Sequence, residues 1–215
     1  AGAGNAPDRF ETTAKYVNTS NQINIMKIGV GGNTYASGSE FVVLGYDPDD
    51  TEGGSVWEEL ADVTLGSAGD TVDSGTITAK KYLMFEFFGI ASGDVMGCIR
   101  FNSDNGNNYA HRRGRDGTTD GTGTSTNLTY VTVGGTSTGD VVYGNGFIIN
   151  TSAKEKLVIT EGVDSNTAGA GNAPSRREAV QKWTNTSNAI TSVQMVNVNG
   201  GSFDTGSRIK VWGFD

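Results

Sequence analysis

This sequence predicts an all-β protein, and three observations lead to that prediction. Glycine accounts for 32 of the 215 residues, about twice its usual share, whereas proline occurs only 3 times. Short runs of β-branched and aromatic residues alternate with polar residues and are separated by Gly, Asn, Asp and Ser. A long segment of the sequence also occurs twice. We therefore expect an antiparallel β-sandwich, jelly-roll-like in its connections, preceded by the closing strands of a second, homologous module.

The individual strands are predicted from the alternation of apolar and polar residues. Residues 81–90 and 95–101 are expected to form a central hairpin. At 208–212 the alternation is regular and places Ile209 and Val211 on one face. Further strands are expected at 127–133, 141–150, 156–163, 177–184 and 191–198.

Three segments depart from this pattern. Residues 56–61 carry the only helical signal, about one turn long. The Gly- and Thr-rich residues 116–125 indicate a loop. The Asn-, Asp- and Gly-rich residues 102–108 are expected to form a tight turn, with a sugar or ion site as the alternative.

The internal repeat joins the start of the sequence to its end. The seven residues Ala-Gly-Ala-Gly-Asn-Ala-Pro at 1–7 return at 168–174, and about 21 of the first 47 residues recur at an offset of 167 or 168. Residues 48–167 occur once. We therefore predict a complete sandwich module at 48–215, with residues 1–47 as the closing third of a repeated module.

The repeat also predicts which residues drive assembly. Five apolar residues near the end of the chain are expected to face the core: Val193, Met195, Phe203, Ile209 and Val211. Their counterparts in the first copy are Met26, Ile28, Tyr35, Phe41 and Val43. The first copy lacks the earlier strands of its own module, so we expect another chain, or sequence outside these residues, to complete it by strand pairing. Such head-to-tail contacts build rings or filaments.

Charge excludes some classes of partner. The formal net charge is −8, and the one basic cluster, Arg112, Arg113 and Arg115, is expected to be a solvated turn. A nucleic-acid partner is therefore not expected. No apolar window of about 18 residues exists, so a membrane partner is not expected either. The expected partner is the chain itself, as a homo-oligomer or polymer.

The sequence offers little for catalysis. The only cysteine, Cys98, lies in an apolar run and is expected to be a buried hydrophobe, and the only histidine, His111, is expected at the surface beside Arg112. No paired-cysteine or His-rich spacing indicates a zinc site, and no serine lies in a Gly-x-Ser-x-Gly elbow. We predict no catalytic site and no cofactor.

Two kinds of polar site remain open. A dense acidic turn could hold Ca²⁺ through its carboxylates, although a polar linker between modules has the same composition: its residues are Asp47, Asp49, Asp50 and Glu52. Four Asn-x-Ser/Thr sequons are candidates for glycosylation in a host that glycosylates: Asn18, Asn127, Asn150 and Asn185.

Four segments resemble a pattern found in structural proteins of tailed phages and related marine viruses: residues 80–84, 99–110, 182–188 and 206–213. The resemblance covers most of 48–215 and, through the repeat, 1–47. It implies β-sandwich modules in a tail, fibre or particle-surface component of a virion. The shared residues are glycines, aromatics and asparagines, so the resemblance implies no catalytic role.

We therefore expect a non-enzymatic virion structural protein, assembled in the host cytoplasm into a shell, tube or fibre. The lack of cysteine pairs fits assembly in a reducing compartment. Other virion proteins are possible partners. One alternative is a carbohydrate- or receptor-binding module of a viral fibre that uses Trp57, Tyr109 and Trp212 on exposed loops to bind a host glycan. The other is a subunit of a cell-surface filament.

Overall fold

A computed structural model describes the chain over residues 2–8, 17–18, 20, 23–29, 31–43, 56–116, 123–128, 130–136, 140–164, 169–171 and 173–215. The chain divides into two compact units. Ala1–Arg9 together with Val56–Asp215 form the first, called the sandwich unit below, and Phe10–Ser55 form the second. The predicted boundary between residues 47 and 48 stays a prediction.

All strands of the described residues lie in the sandwich unit. They are β1 (Glu58–Thr64), β2 (Thr71–Asp73), β3 (Tyr82–Ile90), β4 (Val95–Phe101), β5 (Tyr109–Arg115), β6 (Gly123–Leu128), β7 (Val131–Thr136), β8 (Val141–Ile149), β9 (Lys156–Asp164), β10 (Ser175–Trp183), β11 (Val193–Asn197) and β12 (Arg208–Phe214). No helix occurs in the described ranges.

The strands form two antiparallel sheets. The large sheet has eight strands in the order β1-β12-β3-β8-β9-β10-β5-β6, and the small sheet has four in the order β2-β11-β4-β7. The predicted all-β antiparallel sandwich is therefore confirmed. The segments 81–90, 95–101, 141–150 and 156–163 were predicted to within one residue at either end. The predicted hairpin of 81–90 with 95–101 is wrong, because β3 lies in the large sheet and β4 in the small one.

The core lies between the two sheets because alternate residues of each strand point inward. In β3 the inward residues Leu83, Phe85 and Phe87 are fully buried, and they pack with Ile99 of β4 and Met195 of β11. Each such side chain contributes roughly 1.5–3 kcal/mol when it is fully buried.

Two glycines allow the sheets to approach closely around Val133 of β7. A Cβ added at Gly144 would lie 2.1 Å from the Val133 Cγ1 atom. A Cβ added at Gly162 would lie 2.2 Å from the Val133 carbonyl oxygen. Since real side chains do not approach so closely, glycine is required at both positions.

Several local predictions are wrong. Residues 56–61 do not form a helical turn, because β1 begins at Glu58 and pairs with β12. The basic cluster is not a solvated turn, because Arg112 and Arg113 lie in β5, which pairs with β10 and β6. His111 of the same strand is only 2% exposed, so it is not a surface residue.

Candidate assembly surfaces

The second copy of the repeat supplies three strands to the sandwich, β10, β11 and β12, and none of them pairs with another. In the large sheet β10 lies between β9 and β5, and β12 lies between β1 and β3. In the small sheet β11 lies between β2 and β4. All six neighbours come from earlier in the chain. The closing segment therefore folds only when a body of earlier strands, here residues 56–164, is present.

The first copy has the same apolar residues in different surroundings. In the second copy the five inward residues are fully buried: Val193, Met195, Phe203, Ile209 and Val211 are each 0% exposed. The five counterparts in the second unit are 46–56% exposed: Met26, Ile28, Tyr35, Phe41 and Val43. The described residues of this unit contain no strand. The predicted assembly residues thus lie on an exposed apolar surface.

The two copies nevertheless share their local turns. Gly38 and its counterpart Gly206 have φ values of 86° and 91°, in the left-handed region that favours glycine. The Oδ1 atom of Asn18 accepts a hydrogen bond from the Ser20 N–H at 2.8 Å, and Oδ1 of Asn185 accepts one from the Ser187 N–H at 2.9 Å. The described residues of the first copy therefore share turns with the second copy but contain no strand.

The first Ala-Gly-Ala-Gly-Asn-Ala-Pro sequence contacts the sandwich unit. We call residues 2–8 the first loop. The Gly2 N–H donates to Oε1 of Glu155 at 2.6 Å, and Nε of Arg112 donates to the Pro7 carbonyl at 2.6 Å. Lys182 Nζ lies 3.0 Å from the other Glu155 oxygen. Burial raises the pKa of Glu155, but the hydrogen bonds from Gly2 and Lys182 outweigh burial, so the net pKa is lowered.

The outer face of the large sheet carries an exposed apolar surface, which the paired polar residues Asn145 of β8 and Glu161 of β9 divide into two patches. It is formed by eight large side chains that are each 38–58% exposed: Phe88, Val141, Tyr143, Phe147, Ile149, Leu157, Ile159 and Val163. Phe147 of β8 lies beside Ile159 of β9, and Ile149 lies beside Leu157. Apolar patches of this extent mark interaction surfaces in soluble proteins.

The single cysteine and the single histidine are both in the interior. Cys98 is buried, as predicted, and burial raises the pKa of its thiol to about 12. Burial, together with Arg113 and Arg177, lowers the pKa of His111 to about 4. At neutral pH the thiol is protonated and the imidazole is uncharged, and both side chains are closed off from solvent.

The three candidate aromatic residues do not share one exposed surface. Tyr109 is fully buried; its hydroxyl donates to the Asp104 carbonyl at 3.0 Å and accepts from the Phe101 N–H at 3.1 Å. Trp57 and Trp212 are half-buried, and the Trp57 ring packs on that of Phe214 with centroids 4.7 Å apart.

The polar turn at 102–108 is built around the Asp104 carboxylate. This carboxylate accepts hydrogen bonds from the Gly106 N–H at 2.9 Å, the Asn108 amide at 2.9 Å and the Trp183 indole at 2.6 Å. These contacts fit the predicted tight turn, in which the oxygens serve the fold.

The sequons lie in different environments. Asn18 is exposed, Asn185 is half-buried, and Asn127 lies in β6. Asn150 is 4% exposed; its Nδ2 donates to the Lys80 and Ile190 carbonyls, and its Oδ1 accepts from the Ile190 N–H at 2.7 Å. A glycan on Asn150 would break these bonds, so the folded sandwich does not present that amide for modification.

The calcium candidates Asp47, Asp49, Asp50 and Glu52 lie outside the described residues. Elsewhere in the described ranges, no cluster of three or more His, Cys, Asp or Glu side chains could hold a metal ion. Nor do those ranges contain a helix of the length and apolarity that crossing a membrane requires.

Fold and surfaces together define an all-β sandwich with a repeated closing segment and two exposed apolar surfaces. Comparison of the chain with protein-family models, curated proteins and solved structures gave no significant match.

Proposed function

We propose that this protein is a non-enzymatic structural subunit whose sandwich modules assemble into a shell, tube or fibre by pairing strands across subunits. One observation carries the proposal. The closing segment of a module consists of three strands, and each of them pairs with two strands from outside the segment. The sequence contains this segment twice but the body of earlier strands only once. One closing segment therefore requires strands from another chain or from sequence outside these residues.

The burial of apolar side chains favours pairing of the first closing segment with a body of strands over leaving that segment unpaired. Five apolar side chains that are buried in one copy and about half exposed in the other represent roughly 4–8 kcal/mol if they become fully buried. That is comparable to the stability of a whole domain. A body of strands homologous to β1–β9 would also satisfy the backbone hydrogen bonds of the added strands.

The ratio of two closing segments to one body of strands in each chain determines how such an assembly grows. In a second copy of the chain, the body of earlier strands is already paired with that copy's own closing segment. It can accept residues 1–47 only if this segment is displaced, which is a strand exchange between subunits. Each exchange releases another closing segment for the next subunit. The contact is thus head-to-tail and propagates.

Two further features support a structural role. The apolar outer face of the large sheet offers a second surface for packing between modules. Cys98 and His111, the only cysteine and the only histidine of the sequence, are both buried in the sandwich and away from solvent. The setting in a virion, with other virion proteins as partners, rests on the resemblance to phage and marine-virus structural proteins.

Carbohydrate or receptor binding gains no comparable support. It needs an exposed aromatic platform, whereas Tyr109 is fully buried and Trp57 packs against Phe214. A cell-surface filament would use the same strand exchange, so the proposed contact applies to it unchanged.

Sedimentation velocity over a range of concentrations tests the proposal. The 215-residue chain should form concentration-dependent oligomers, and Phe41→Asp should weaken this self-association by abolishing strand exchange, because the charge cannot enter a partner's core. Val17→Asp is the matched control, since Val17 is 75% exposed and is not among the five assembly residues. A parent chain that stays monomeric at all concentrations would contradict pairing across subunits.

A further inference from the structure

The second Ala-Gly-Ala-Gly-Asn-Ala-Pro sequence differs from the first in what covers it. We call residues 169–174 the second loop; it connects β9 to β10. In the first loop Gly2, Ala3, Ala6 and Pro7 are half-buried, whereas all described residues of the second loop are exposed. The described residues of one sequence thus lie partly against a surface, and those of its repeat lie in solvent.

The surface under the first loop is a built site. It lies where the start of β9 meets β10 and β5, and it presents one acidic and two basic side chains: Glu155, Lys182 and Arg112. Glu155 accepts from the Gly2 N–H, and Arg112 donates to the Pro7 carbonyl, each at 2.6 Å. Lys182, which is 5% exposed, holds the Glu155 carboxylate in place from the other side.

This site recognises backbone groups presented by a particular turn. The Asn5 N–H donates to the Gly2 carbonyl at 3.2 Å, which closes the turn, and Gly2 has a φ of 96°. Its counterpart Gly169 has a φ of 100°. The second loop therefore has the same sequence as the loop that already occupies the site, and its glycine Gly169 has the same conformation as Gly2.

We infer that the second loop docks on a second copy of this chain, at the Glu155–Arg112 site, where it takes the place of that copy's own first loop. The chain itself identifies the occupant, because the first loop, which has the identical sequence and a matching glycine conformation, already binds at this site. The contact is heterologous: the loop of one copy meets the site of the next, so it propagates in one direction.

This docking is separate from the strand exchange proposed above. Strand exchange buries residues between 26 and 43, whereas loop docking uses residues 169–174 and a site on β5, β9 and β10. Either contact can fail while the other holds.

Cross-linking between two full-length variants tests the docking. One variant carries Ala170→Cys in the second loop, and the other carries Lys154→Cys, an exposed position next to Glu155. The native Cys98 is fully buried and does not compete. After mixing with a short bis-maleimide, the hetero-dimer yield should exceed that of a control pair in which Thr205→Cys, an exposed position in the β11–β12 connection, replaces Lys154→Cys.

The same substitution in the two loops should act in opposite directions. Valine strains a backbone with positive φ. Gly169→Val in the loop donor should reduce the yield to that of the control pair. Gly2→Val in the acceptor should raise the yield severalfold, because it loosens the acceptor's own first loop. Phe41→Asp in both chains should leave the yield unchanged.

The inference is overturned if the yield equals that of the control pair, or if it responds to neither glycine substitution. It is also overturned if Phe41→Asp abolishes the cross-link, because the contact would then depend on strand exchange.

Discussion

Residues 168–215 and residues 1–47 contain the same turns and the same apolar positions, yet one segment forms three strands and the described part of the other forms none. Ile209 and Val211 of β12 are fully buried between two neighbouring strands. Their counterparts Phe41 and Val43 are about half exposed. Local sequence is therefore sufficient for the turns, whereas the strands depend on partners elsewhere in a module.

The largest expected difference between the copies comes from a buried charge. Ile209→Asp places a carboxylate in the core and should cost about 4 kcal/mol or more of the free energy of unfolding. Phe41→Asp, at the equivalent exposed position, should change the stability of the monomer by less than about 0.5 kcal/mol. Urea unfolding of both variants checks this, and equal losses would mean that Phe41 is already part of a core.

The next prediction concerns the stability of the sandwich at low pH, which depends on a residue outside both copies of the repeat. His111 lies in β5, outside the repeat, and burial, Arg113 and Arg177 lower its pKa from 6.5 to about 4. The unfolded chain therefore binds a proton below pH 6.5 that the folded sandwich does not accept until about pH 4. The stability that depends on the uncharged imidazole is complete above pH 6.5 and is lost as the pH falls.

His111→Gln removes this titration. Between pH 7.5 and 4 the parent should lose about 3 kcal/mol more of its unfolding free energy than the variant, as its lowered pKa requires. Urea unfolding at several pH values measures the difference. Identical pH profiles would show that His111 titrates normally in the folded chain.

The smallest expected difference lies in the shared turns. Gly206→Ala should destabilise the sandwich by about 1 kcal/mol, because alanine is strained at a φ of 91°. Gly38→Ala should leave global unfolding unchanged, since the described residues around its turn, 31–43, form no strand. Thermal unfolding of the two variants compares them, and an equal shift of the midpoint would argue that both segments unfold with the sandwich.

Strands with regular alternation could be predicted from the sequence, whereas the charged strands β1 and β5 could not. In β9 the alternation predicted the strand but not its buried face, because Leu157, Ile159 and Val163 are exposed while Lys156, Thr160 and Asp164 are buried. In β1 the local residues Glu58 and Glu59 indicated a helical turn. Glu59 instead lies 2.9 Å from Lys210 of β12, an ion pair that becomes apparent only when the two strands are adjacent.

The prediction of β5 failed for a related reason. Its Arg112 and Arg113 suggested a solvated turn, but the strand is paired on both sides, and the first loop accepts a hydrogen bond from Arg112. The repeat, in contrast, identified the candidate assembly residues directly, because two copies of one sequence can be compared without knowing the fold. The site under the first loop gave no local signal, since Glu155, Lys182 and Arg112 are far apart in the chain.

The proposed strand exchange requires that residues 1–47 are closing strands, which pair only with a body of earlier strands. Hydrogen exchange at the Phe41, Val42 and Val43 amides tests this in a chain where a second copy of residues 48–167 precedes residue 1. These amides should exchange freely in the monomeric 215-residue chain, and in the extended chain they should become as protected as those of Ile209, Lys210 and Val211. Amides that stay unprotected in the extended chain, or that are already protected in the 215-residue monomer, would contradict it.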